Sequence, residues 1–70
     1  MNITELRYLV AIKKWGSVSA AAKQLYAAQP NVSKALKNLE GEYGLRIFER
    51  SSTGMIPTEQ GRRFIEQAAR

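Results

Sequence analysis

The sequence predicts a mainly α fold carrying one small β-hairpin. Three observations predict it. Apolar residues recur at helical spacing in three separate stretches before Gly44. The pattern then switches to short apolar runs on either side of Ser51, Ser52, Thr53 and Gly54, which reads as a hairpin. A last amphipathic segment opens at Thr58, directly after Pro57.

The first helix is expected from Ile3 to Lys14. Asn2 caps it, and Glu5 three residues later completes a capping box. Ile3, Leu6, Leu9, Val10 and Ile12 supply its apolar spacing. Lys13 and Lys14 suit the negative end of the helix, and Gly16 suits a left-handed cap. The second helix follows at once, capped by Ser17 or Ser19. It runs through Ala20, Ala21 and Ala22 to about Leu25, and the alanines let a neighbouring helix approach closely. Tyr26 to Ala28 form a turn. The third helix runs from Gln29 to about Tyr43, with Pro30 in the first turn, where its missing N–H costs nothing. Val32, Ala35, Leu36 and Leu39 are its buried stripe, and Gly44 stops it. Leu45, Ile47 and Phe48 read as an extended run into Glu49 and Arg50. Met55 and Ile56 form the returning strand, which Pro57 ends. Thr58 caps a final helix that has no stop signal before Arg70, so it reads as cut from something longer or as ending at a partner's surface. Leu6, Leu9, Trp15, Leu25, Val32, Leu36 and Phe48 are the expected core. For Trp15 a dimer contact is the alternative to packing.

With 70 residues the chain makes one domain with a small core. A hydrophobic share of 44% argues against disorder. There is no Cys and no His, which removes disulfides and the commonest zinc ligands, so neither cofactor nor metal is expected. No apolar run approaches the roughly 20 residues that span a bilayer, and the N-terminus lacks a signal-peptide core. A cytoplasmic location without membrane association is the expectation. The formal charge of +5 favours a polyanionic partner. Its distribution says more: Lys23, Lys34 and Lys37 lie in a stretch without a single acid.

Two short helices joined by a tight turn, with a hairpin and a further helix behind them, make a winged helix-turn-helix. Such a unit reads double-stranded DNA in the major groove. Gln29 and Asn31 suit adenine edges, and Pro30 offers an apolar surface to a thymine methyl. Ser33 and Lys34 reach base or phosphate, and Lys37, farther along, meets backbone. Each of these residues alone has a plainer reading, since lysines outside a third helix are most often a solvated face. The combination favours DNA. A protein–protein docking module is the alternative, and a basic, acid-free face argues against it. An enzyme has little support without His, Cys or a glycine-rich phosphate loop. Tyr8, Tyr26 and Tyr43 are scattered and form no stacking platform for RNA.

At this level of detail the chain resembles the N-terminal domain of the LysR-type transcriptional regulators. The resemblance is carried by Leu6 to Leu9, Gly16, Ser17, Ala21, Ala22, Leu25, Gln29, Pro30, Val32, Ser33, Leu39, Glu40, the Leu45–Arg50 segment, Thr58 and Gly61. It implies a winged domain over residues 1–58 and the start of a linker helix over 59–70. It implies that Gln29, Pro30, Ser33 and Lys34 face the groove and that Arg50 grips phosphate, with Ser52 and Thr53 at the wing tip. It also implies a homodimer through the last helix, for which Phe64, Ile65, Ala68 and Ala69 are the candidate contacts. The dimer would sit on an inverted repeat. A small-molecule inducer would act only through a C-terminal effector domain that these residues do not include.

Two departures from the family pattern matter. Ala28 stands where many members have a capping Ser, and loss of a cap costs ~1 kcal/mol, to be met by Asn31, by water or by fraying. Thr53 stands where the wing tip often carries an Arg that enters the minor groove. A weaker preference for A·T flanks follows. Thr53→Arg is expected to raise affinity for A·T-flanked sites over G·C-flanked ones in a gel-shift titration; equal affinities in the variant would rule that out.

Overall fold

The computed structural model describes residues 1–70. Helix α1 spans Ile3–Trp15, α2 Val18–Gln24 and α3 Gln29–Tyr43. Strands β1, Phe48–Ser51, and β2, Gly54–Pro57, follow, and α4, Glu59–Ala68, closes the chain. The mainly α class with one hairpin is therefore what the sequence builds.

Local chemistry sets each boundary. Asn2 Oδ1 accepts from the Glu5 amide at 2.8 Å, and Glu5 Oε1 accepts from the Asn2 amide at 2.9 Å, a complete capping box. Gly16 ends α1 in the left-handed region at φ 78°. Ser17, not Ser19, caps α2: its Oγ accepts from the Ala20 amide at 2.9 Å. The turn into α3 passes through Tyr26 at φ 54°, a left-handed conformation that a bulky residue rarely adopts. Gly44, at φ 64°, ends α3.

Leu9, Ile12, Val32, Leu39 and Ile47 are fully buried, and Ala11, Ala21, Ala22, Leu36, Phe48 and Ile65 complete the core around them. No polar or charged side chain is buried. Three sequence expectations need correction. Trp15 is 45% exposed, because it is the last residue of α1 and points outward, with Lys14 Nζ 5.2 Å from its ring centre. Ile3 and Val10 are exposed: at 100° per residue they fall on the side of α1 opposite Leu9 and Ile12. Leu6 and Leu25 are only half-buried.

The hairpin starts later than the apolar run suggests. Glu40 Oε2 accepts from the Ile47 amide at 2.7 Å and from the Phe48 amide at 3.4 Å, while the Leu45 amide donates to the Glu40 carbonyl. Residues 45–47 are thus fastened to the end of α3 instead of entering the ladder. Phe48 pairs with Pro57, Glu49 with Ile56, Arg50 with Met55 and Ser51 with Gly54, around a two-residue tip of Ser52 and Thr53.

Helix α4 is bolted to the same segment. The Thr58 amide donates to the Ile47 carbonyl at 2.9 Å. The Thr58 hydroxyl donates to the Arg46 carbonyl and accepts from the Gly61 amide at 2.8 Å. Gly61 is buried so tightly that a Cβ would sit 1.9 Å from the Ile47 carbonyl oxygen. Backbone on backbone cannot yield as a flexible side chain would. Gly61→Ala is therefore expected to cost about 3 kcal/mol and to lower the melting midpoint by roughly 15 °C. Gly41 lies inside α3 with nothing near its Cβ position, so Gly41→Ala is expected to stabilise by about 1 kcal/mol. Thermal melts of both variants check the contrast.

Candidate nucleic-acid interface

The recognition elements meet because the wing is pinned to the first turn. The Met55 amide donates to the Gly16 carbonyl at 2.7 Å. Gly54, at φ 127°, permits that approach, since a Cβ there would lie 2.5 Å from the Gly16 oxygen. This contact sets the hairpin across a cleft from the start of α2 and the start of α3.

A polar cleft of about 310 Å³ results, lined by Gly16, Ser17, Val18, Ser19, Gln29, Ser33, Arg50, Ser51, Gly54 and Met55. The structure therefore brings together Gln29, Ser33 and Arg50, three residues singled out from the sequence. It adds Ser19 and Ser51, which sequence reasoning missed. Ser19 carries no local signal beyond a serine near a helix start. Its place in the cleft depends on the long-range Gly16–Met55 contact.

Helical geometry sorts the rest of α3. Val32, Leu36 and Leu39 face the core. Successive 100° steps then place Gln29 and Ser33 on the flank toward the wing. Pro30, Lys34 and Lys37 occupy the middle of the outward face, and Asn31 lies on the far flank. All six of these α3 positions other than the three core residues are exposed. No side chain caps α3 at Ala28, and Asn31 does not substitute: its amide donates to the Ala28 carbonyl at 3.0 Å, a tight first turn.

At the wing tip Ser51 Oγ donates to the Gly54 carbonyl at 2.8 Å and accepts from the Thr53 amide at 3.3 Å. The Thr53 hydroxyl lies 3.2 Å from Ser51 Oγ. The hydroxyls close the turn on itself, and Ser52 and Thr53 stay exposed. Arg50 is the one cation of the hairpin.

Charge pairing separates the two halves of the surface. Both ion pairs of the chain lie on α4: Arg62 with Glu66 at 3.4 Å and Arg63 with Glu59 at 2.9 Å. Lys34, Lys37 and Arg50 have no acidic partner and keep their charge available to an anion. Away from the cleft, partial desolvation, then the charge of Glu42 and a hydrogen bond to it, then Glu5, raise the Tyr43 phenol above its ordinary value.

The last helix spends most of its apolar stripe on its own domain. Ile65 is 3% exposed and belongs to the core, a correction to its reading as a dimer contact. Phe64 packs on Tyr43 with ring centres 4.8 Å apart. Ala68 is half-buried and Ala69 exposed. The reason is the Thr58–Ile47 junction, which turns this side of α4 inward.

Fold and cleft together define a winged helix-turn-helix domain whose third helix is cationic and free of acids from Gln29 to Leu39. The family model described as "Bacterial regulatory helix-turn-helix protein, lysR family" matches residues 3–62. The chain belongs to that family and is its helix-turn-helix DNA-binding domain. It is 41% identical over its full length to the regulator TfdS of Cupriavidus pinatubonensis, of which it covers 24%. It is 43% identical over 97% of its length to YcgK of Bacillus subtilis, covering 21% of that protein. The chain thus spans about a quarter of the length of such relatives. Among solved structures, the CbnR DNA-binding domain in complex with DNA superposes with a TM-score of 0.88 at 35% identity, covering 99% of this chain and 79% of that one. The BenM domain bound to benA site 1 DNA gives a TM-score of 0.88 at 38% identity, covering 99% and 78%. No helix is long and apolar enough to cross a membrane.

The uncapped start of α3 is a local weakness that one hydroxyl can repair. Ala28 has extended backbone angles, φ −74° and ψ 131°, which a capping Ser also adopts. Ala28→Ser is expected to stabilise the domain by about 1 kcal/mol, read as a higher denaturant midpoint with unchanged slope.

Proposed function

We propose that this domain reads double-stranded DNA by sequence, with the first half of α3 in the major groove and the wing on the flanking backbone. Pro30 and Lys34, in the middle of the outward face, and Gln29 at the leading end meet base edges. Ser33 and Asn31 flank them. Lys37 and Arg50 hold phosphates on either side, which fixes the register in which the bases are read. Ser52 and Thr53 approach the backbone through a tip that carries no cation. The observation that carries this reading is the convergence of Gln29, Ser33 and Arg50 on one cleft beside unpaired lysines. The CbnR and BenM domains of like fold, each crystallised on DNA, support it.

The proposal extends to assembly. Two copies joined through α4, with Phe64, Ala68 and Ala69 at the contact, would place two recognition helices in successive major grooves of an inverted repeat. Control by a small-molecule inducer belongs to a part of the protein beyond these residues, and the cytoplasm is the expected location.

Selection from a random duplex pool at near-physiological salt tests the whole reading. Enrichment of an inverted repeat is expected; retention without enrichment would reduce the interface to non-specific charge binding. Two variants then separate base reading from backbone contact. Gln29→Ala is expected to cost ~1–3 kcal/mol on the selected site and little on mismatched sites. Lys37→Ala is expected to weaken all sequences alike and to reduce the salt slope by about one. Uniform weakening by Gln29→Ala would sink the base-reading assignment.

A further inference from the structure

We propose that the outward face of α1 is a docking groove for an acidic, amphipathic helix of another protein. This surface is separate from the DNA cleft and shares no lining residue with it. Its floor is apolar: Leu6, Val10, Trp15 and Leu25 line an open groove of about 360 Å³. Arg7 and Lys14 stand at its edge. Val10 is 42% exposed and Trp15 45%, and Ile3, at 75%, extends the same side of the helix. Ile3, Arg7, Val10 and Lys14 follow at the spacing that puts them in one row. Such a row alternates apolar and basic groups, and nothing in the domain covers it.

Charge decides the occupant. No carboxylate lines the groove, and none occurs in the chain between Glu5 and Glu40. Lys14 lies over the Trp15 ring, which stations its ammonium at the lip. An incoming helix with apolar residues on one face and acids beside them satisfies floor and rim together. A second copy of this chain does not. In a two-fold contact the same patch meets itself, so two cationic rims would be brought together in one desolvated seam with no carboxylate from either copy to pair them. A nucleic-acid backbone matches the rim but leaves the apolar floor without a partner.

Trp15 is the chain's one tryptophan and reports directly on this groove. The test titrates the domain with a synthetic amphipathic helix bearing leucines on one face and glutamates beside them, and follows Trp15 emission. A saturable blue shift is expected. The double variant Arg7→Glu, Lys14→Glu is expected to weaken binding roughly tenfold; both positions are exposed, so the fold is retained. Val10→Ala is expected to weaken the peptide while leaving retention on duplex DNA unchanged, which keeps this result independent of the DNA reading. Absence of a shift would overturn the proposal. So would equal binding of a peptide with lysines in place of glutamates. A shift that grows with domain concentration alone would assign the groove to a second copy, and a shift on adding duplex DNA would assign it to nucleic acid. Either result overturns it.

Discussion

The Arg46–Ile47 backbone is the point on which three elements depend. Glu40 reaches it from α3 and takes the Ile47 amide. Thr58 reaches it from the head of α4 and satisfies the Arg46 and Ile47 carbonyls. Gly61 presses against it with no room for a side chain. Ile47 itself is fully buried. An extended segment this deep in a small domain must have its polar backbone groups satisfied, since an unpaired one costs ~1–3 kcal/mol. Here a carboxylate from one helix and a threonine from another supply the partners. Satisfaction of one backbone stretch therefore fixes how α3, the wing and α4 meet.

From that junction the wing has one free direction, set by a second backbone contact. The Met55 amide on the Gly16 carbonyl ties β2 to the α1–α2 turn. Two glycines make the approach: Gly16 turns the chain, and Gly54 removes the side chain that would block it. The result carries Arg50 to the flank of α3 that holds Gln29 and Ser33. Position in the cleft is thus a property of main-chain contacts between residues nearly 40 apart. It does not depend on the side chains of Gln29, Ser33 or Arg50.

This explains what was legible in the sequence. The capping box at Asn2 and Glu5, Gly16, Pro30, Gly44 and Thr58 each act within a few residues, and local spacing announces them. Gln29, Lys34 and Lys37 were legible because helical periodicity separates them from Val32, Leu36 and Leu39. Arg50 was identified through the family resemblance. The start of β1 was not legible, because Leu45 to Ile47 look like a strand until the Glu40 side chain is placed beside them. Ser19 was not, because its role depends on the docked wing. Trp15 was misread for a different reason. Large aromatics usually fill small cores, but Trp15 is the last residue of α1 and points outward, so its indole stays at the surface. Ile65 was misread because an apolar stripe on an open-ended helix looks like a surface for a partner, whereas the Thr58 junction turns it inward.

The division between interior and interface has a consequence for function. No charged or polar side chain is buried, and no buried polar side-chain atom lacks a partner. The acids near α3 do structural work at its far end, with Glu40 on the backbone of the wing. The cations at its leading end and on β1 do none. Lys34, Lys37 and Arg50 hold no internal hydrogen bond or ion pair, so their mutual repulsion is a small, salt-screened cost to folding. An anion that spans them removes that repulsion and gains charge-assisted hydrogen bonds in the same step. The helix that carries the two lysines begins without a side-chain cap, so its first turn is held mainly by backbone contacts and by Val32 in the core. Stability resides in one set of residues and the unpaired charge in another, and the start of α3 is where the two meet. A ligand that orders this turn by contact with Gln29 and Pro30 stabilises the fold at its weakest capped end. On the proposed reading, a matched DNA site is therefore expected to raise the melting temperature beyond what neutralising the lysines alone supplies, in the manner of any ligand that binds only the native state.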